Sequence, residues 1–151
     1  MNNVDATDIT TSLSPERYRE MLKGLMLQSI NLVEHHAVLE SSLVLSKSSE
    51  STPVRVELHQ ELVSWEQSDG LLAFSVQYRI EGKVKRKKMI GIRAVYIVRY
   101  QSEQPVTPDF VRIFQQSTLV MVTYPYFREL VDTTTRRMGT PPLTLPMLML
   151  Q

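Results

Sequence analysis

The chain contains no cysteine. That excludes thiol catalysis, disulfide scaffolds and zinc centres built on cysteine. Glycine is scarce at 5 residues and histidine at 3. No glycine-rich loop is present to cradle a phosphate, and a histidine-rich metal site lacks its parts. Charge of one sign is also missing. The formal net charge of +1 gives no whole-chain electrostatic argument for nucleic acid. Long apolar runs are absent, and runs such as residues 119–122 and 147–150 fall far short of the ~20 residues that cross a bilayer. What is there is ordinary core material: 42% of the residues are hydrophobic. A chain of 151 residues suits one domain and needs no covalent staple. The composition points to a soluble, cytoplasmic protein that is not an enzyme and uses no cofactor.

Residues 1–13 are polar, carry Asp5 and Asp8, and have neither a basic leader nor an apolar stretch. They read as a disordered lead-in rather than a signal peptide, with a single domain over 14–151. Ser14-Pro15-Glu16 is a helix start: a capping hydroxyl, proline at the first helical position and an acidic first turn. Gly24 interrupts this helix. The pattern from Leu25 onward suits a strand with an irregularity near Ser29, although a helix running on to Leu27 is equally compatible.

A serine-rich connection covers residues 37–53 and contains Leu39, Leu43 and Leu45, more apolar than a plain linker requires. Residues 54–62 alternate cleanly, with Val54, Val56, Leu58 and Leu62 on one side. Asp69-Gly70 is a hairpin pair. Leu72, Phe74, Val76, Tyr78 and Ile80 then alternate with smaller or polar residues, and Glu81-Gly82-Lys83 predicts the next turn. Residues 84–100 form a strand whose second half is apolar on both sides, as in a central strand.

Thr107-Pro108-Asp109 opens a second helical region. Leu119, Val122, Tyr126 and Leu130 continue it at helical spacing. Pro125 is expected to kink or restart the helix. Arg136, Arg137 and Gly139 end it, and residues 143–151 form a short apolar tail interrupted by Pro146. Strands followed by helices give an α+β domain. We expect a four-stranded antiparallel sheet, a meander plus the N-terminal strand, with the C-terminal helices packed on one face.

The chemical constellations are thin. His35 and His36 are adjacent, and adjacent strand residues point to opposite faces, so they do not share a metal. His59 falls on the polar side of its strand. Lys83, Lys85, Arg86, Lys87 and Lys88 form the sharpest charge cluster. Nucleic-acid binding is one reading of it. The plainer reading, which we prefer, is a solvated hairpin whose lysines discourage edge pairing. The apolar residues of the 37–53 connection and the C-terminal tail suit either closure over the sheet or a peptide-binding surface; methionine recurs on adaptable binding surfaces.

Residues 119–130, Leu-Val-Met-Val-Thr-Tyr-Pro-Tyr-Phe-Arg-Glu-Leu, resemble the helix motif of the SecB family of export chaperones: an apolar lead-in, aromatic-Pro-Tyr, one residue, then Arg-Glu. Tyr124 stands where the family usually has Phe. The similarity continues through residues 137–145, Arg-Met-Gly-Thr-Pro-Pro-Leu-Thr-Leu. Residues 53–58 are similar to the family's second strand and 27–34 to its first.

The resemblance implies an ATP-independent holdase that binds unfolded or nascent polypeptides. It implies a homotetramer, a dimer of dimers, with sheets joined between protomers and long helices at the tetramer interface. Val54, Val56 and Leu58 would bind peptide, with Leu145, Met147, Leu148 and Leu150 of the tail and Leu39, Leu43 and Leu45 of the crossover. Leu119, Val122, Tyr126 and Leu130 would lie at the oligomer interface. The family is typically acidic, with a tail that docks on the translocase motor SecA. The near-neutral charge and the end at Gln151 weigh against that docking. They suit a relative with a dedicated client, such as the antitoxin of a toxin–antitoxin pair, or equally an export-family member that docks through its sheet. An adaptor binding one folded partner is the alternative. Neither membrane insertion nor nucleic-acid binding is expected.

Overall fold

In the computed structural model the described residues are 13–40 and 54–147. The elements run α1 (Pro15–Lys23), β1 (Leu25–Leu39), β2 (Arg55–Ser68), β3 (Leu71–Val84), β4 (Lys87–Ser102), α2 (Pro108–Gln116) and α3 (Thr118–Arg137). The four strands form one antiparallel sheet in the order β1-β4-β3-β2. β2, β3 and β4 are the expected meander, and β1 adds to the free edge of β4. This is the α+β architecture anticipated from the pattern.

Local chemistry explains most boundaries. The Arg17 N–H donates to Ser14 Oγ at 3.2 Å, capping α1. β1 begins at once after Gly24, so the helix does not run on to Leu27. The irregularity near Ser29 is a bulge between Leu27 and Ser29, and a second lies between Leu32 and Glu34. Each extra residue flips the alternation, so Leu27, Ile30, Leu32 and His35 all share the face of Tyr100, Val98, Tyr96 and Ala94. Residues 37–39 belong to β1 rather than to the connection, of which residues 41–53 lie outside the described residues.

Two expectations require correction. The turn between β3 and β4 is at Lys85-Arg86, not at Glu81-Gly82-Lys83, because Lys85 and Arg86 take positive φ values of 49° and 70° and Val84 pairs with Lys87. Gly82 lies inside the strand for a different reason: a Cβ there would meet Ile90 Cγ2 at 2.6 Å and Val54 Cγ1 at 3.2 Å. It is a close-approach glycine, not a turn glycine. Pro125 does not restart the helix either. α3 runs through it, and the break falls at Ser117, whose φ of −124° and ψ of −92° separate α2 from α3. The donor that Pro125 lacks would have served the Met121 carbonyl one turn back. Both residues are exposed, so water can solvate that oxygen.

The end of α3 matches its sequence signal. Gly139 has φ +74°, its N–H donates to the Arg136 carbonyl at 3.1 Å, and the Thr140 N–H donates to the Thr135 carbonyl at 3.2 Å. This is a Schellman closure.

One face of the sheet takes all three helices. Leu72, Phe74, Val76, Tyr78 and Ile80 of β3 and Ile92, Ala94, Tyr96, Val98 and Tyr100 of β4 are buried there in one core. Phe127 stacks on Tyr78 at 4.9 Å between centroids and Phe114 on Phe74 at 5.2 Å. Thr123 Oγ1 donates to the Leu119 carbonyl at 2.7 Å, which leaves it to accept from the Tyr78 hydroxyl at 2.7 Å.

Candidate functional site

The apolar side chains that the core does not absorb concentrate on the two edge strands. Among the described residues β1 and β2 each have one pairing partner, which leaves a row of backbone donors and acceptors on the outer side of each. Val56 and Leu58 of β2 lie on the helix-bearing face, opposite Gly82 and Ile80, and Val54, just before the strand, continues their line. Val56 is half-buried against the core, while Val54 and Leu58 are 43% and 39% exposed. Gly82 holds this line in place, because its missing side chain lets Val54 approach Ile90. Val63, the extra residue of the β2 bulge, is exposed as well. On β1, Met26, Leu27, Leu32, Val33 and Val38 are exposed. Soluble monomers usually protect such edges with charge or proline.

The structure separates the other sequence candidates. Leu39 is half-buried at the end of β1, opposite Ile90. Leu145 is only 2% exposed and is part of the core, so its side chain has no surface to offer a peptide. Arg128 Nε donates to the Leu145 carbonyl and the Tyr124 hydroxyl to the Pro146 carbonyl, both at 2.7 Å, fixing the tail against α3. Met147, immediately after, is 74% exposed. Leu43, Leu45, Leu148 and Leu150 lie outside the described residues. On α3, Leu119 is fully buried in the core, because its side of the helix faces the sheet; Val122 and Leu130 are half-buried and Tyr126 is exposed. Sequence reasoning missed the β1 edge, because two bulges break the alternation that would have shown which residues face out.

Charged groups near the β3–β4 hairpin are largely paired. Lys83 meets Glu57 at 3.1 Å and Glu81 at 3.7 Å, and Lys88 meets Glu40 at 3.7 Å and Glu81 at 3.8 Å. The Lys83 ammonium holds the Glu57 carboxyl below its usual range. Only Lys85, Arg86 and Lys87 of the cluster stand at the turn without an ion pair among the described residues. His35 faces α3, with Nε2 3.4 Å from Thr134 Oγ1, whereas His36 faces the open side opposite Arg93. Among the described residues no group of three or more His, Asp or Glu is placed to hold a metal ion, and no helix is long and apolar enough to cross a membrane.

Burial pushes the Tyr78 and Tyr100 hydroxyls up to about 12, and raises Tyr96 further and Tyr124 less. Tyr96 and Tyr100 have no hydrogen-bond partner for their hydroxyls among the described residues. These shifts follow from desolvation in the core, away from the exposed apolar line.

No family model matches the chain, and no curated protein does. Among solved structures, the SecB-like chaperone of Mycobacterium tuberculosis, in complex with a ChAD peptide from an antitoxin, superposes with a TM-score of 0.74 at 17% identity, over 88% of this chain and 98% of that one. The chain has a SecB-like fold. A protein of unknown function from Streptococcus agalactiae also matches, at a TM-score of 0.34 and 12% identity over 81% of this chain and 96% of that one, too low to inform the fold. The SecB-like fold here is carried by a sequence that leaves apolar groups uncovered on both sheet edges.

Proposed function

We propose that this protein is an ATP-independent holdase that binds unfolded or nascent polypeptides. The observation that carries this reading is the partly exposed apolar line Val54, Val56 and Leu58 along the outer strand β2, which has no second partner among the described residues, in a fold shared with a chaperone captured with a peptide. An extended client would bury its apolar side chains there, at roughly 25 cal/mol per Å² removed from water. Backbone pairing along the strand edge would add affinity without demanding a sequence. Assembly into a homotetramer, a dimer of dimers, would multiply such weak sites through effective concentration. The apolar β1 edge and the exposed Tyr126 side of α3 supply surface for that assembly. An antitoxin or an export substrate would both suit as clients, and we favour the dedicated client.

The test is aggregation of a chemically denatured model enzyme on dilution, with no nucleotide present. Suppression at one tetramer per client chain is the expected result. No suppression at that ratio, with selective capture of one folded protein instead, would favour an adaptor. Replacing Val56 and Leu58 with serine should weaken client capture while size-exclusion chromatography shows the oligomer unchanged. Disassembly would make these residues structural.

A further inference from the structure

The face of the sheet away from the helices has a feature that an apolar site does not require. In register, His36 stands opposite Arg93, Arg93 opposite Arg79, and Arg79 opposite His59. A single row of basic side chains therefore crosses all four strands. With neighbouring strands about 4.8 Å apart, the row is about 14 Å long. Two arginines directly opposite each other on one face repel. Glu34 pairs with Arg93, but Arg79 is exposed and has no ion pair among the described residues.

Beside the row, Gly91 leaves a depression walled by His36, Arg79, Arg93, Lys88, Glu40 and Glu81. It is kept open by the absence of a side chain: a Cβ on Gly91 would lie 3.0 Å from Lys88 Cε. The rows on either side carry carboxylates, Glu34 and Glu61 on one and Glu57 and Glu81 on the other. The positive strip is thus one residue wide. A polyanion with a charge every few ångströms would meet those carboxylates. A single carboxylate needs only Arg79, which has no ion pair among the described residues, and a guanidinium fork matches its geometry.

We propose that the His36–Arg93–Arg79–His59 row binds a carboxylate of an extended client segment, so that the chaperone prefers clients with an acidic residue beside their apolar ones. This rests on the holdase reading and adds a charge specificity to it.

The experiment uses the full chain and three dye-labelled twelve-residue peptides of one apolar sequence. The first carries a central glutamate and an amidated end, the second glutamine and an amidated end, and the third glutamine and a free terminal carboxylate. The glutamate peptide should bind about three- to tenfold more tightly than its amidated glutamine twin, with the difference shrinking at high salt. R79Q/R93Q should remove the difference and leave glutamine-peptide binding intact. R99Q, which alters an arginine bonded instead to Asn31, should preserve it. An equal gain for the free-terminus peptide supports the row and adds chain ends as a source of the carboxylate. Equal affinities for all three peptides would overturn the charge specificity and leave the holdase reading standing. Failure of any peptide to bind would overturn both. Tighter binding of a twelve-nucleotide single-stranded RNA than of the glutamate peptide, lost in R79Q/R93Q, would assign the row to nucleic acid instead.

Discussion

The two faces of one sheet have opposite fates. The same residues of β3 and β4 that alternate in sequence supply both: Phe74, Tyr78, Ile92 and Tyr96 point to the helices and are buried, while Ser75, Gln77, Arg79 and Arg93 point away. The closed face is aromatic and stacked; the open face is mainly polar, with a transverse row of basic side chains between two rows that carry carboxylates. The comparison shows where substitutions act. A change on the closed face alters whether the chain folds, and a change on the open face or an edge alters what it meets.

The largest expected effect is on the closed face. Phe127→Ala removes a fully buried ring stacked on Tyr78 and should cost about 3–5 kcal/mol in denaturant-induced unfolding. Client capture should fall only in proportion to unfolded protein. Tyr78→Phe leaves the packing and removes the hydrogen bond to Thr123; a loss of about 1 kcal/mol is expected by the same measurement.

The closed face also has an alkaline limit. Tyr78 and Tyr100 ionise near 12 in the folded chain against about 10 when unfolded. Above pH ~10 the unfolded chain therefore releases protons that the fold retains. Their contribution to stability is complete below that pH and is lost as pH rises through about 12. Tyr100→Phe should flatten this decline in thermal melts between the two values.

On the open face, Arg79→Gln should shift stability by no more than about 0.5 kcal/mol, with a slight gain if relief of the contact with Arg93 dominates. A loss of several kcal/mol from that substitution would break the contrast between the faces, because it would make Arg79 a structural residue.

Much of the fold was legible in the residues. Strict alternation announced β3, the Ser14-Pro15 and Thr107-Pro108 pairs announced two helix starts, and Gly139 announced the end of α3. Gly82 and Pro125 misled for a common reason. Each residue has more than one physical use, and the chain alone does not say which applies. Gly82 serves contact with Val54, just before β2, and with Ile90 of β4. Pro125 is tolerated because the carbonyl it deprives is on the wet side of the helix. Of the candidate site, alternation placed Val54, Val56 and Leu58 on one side of their segment, but it could not say which apolar residues stay exposed: Leu145 has the same apolar character and is core.

By itself the sequence determined which residues are apolar at strand or helix spacing, where turns and caps are permitted, and which cofactor chemistries lack their parts. These are local properties, set by dihedral preference and by hydrophobicity along a few residues. Only the tertiary structure decided which apolar groups remain uncovered and that Arg79 meets Arg93 between two histidines. Strand order, two bulges in β1 and one in β2 set that register, and register is a relation between segments distant in sequence, settled by how one core packs.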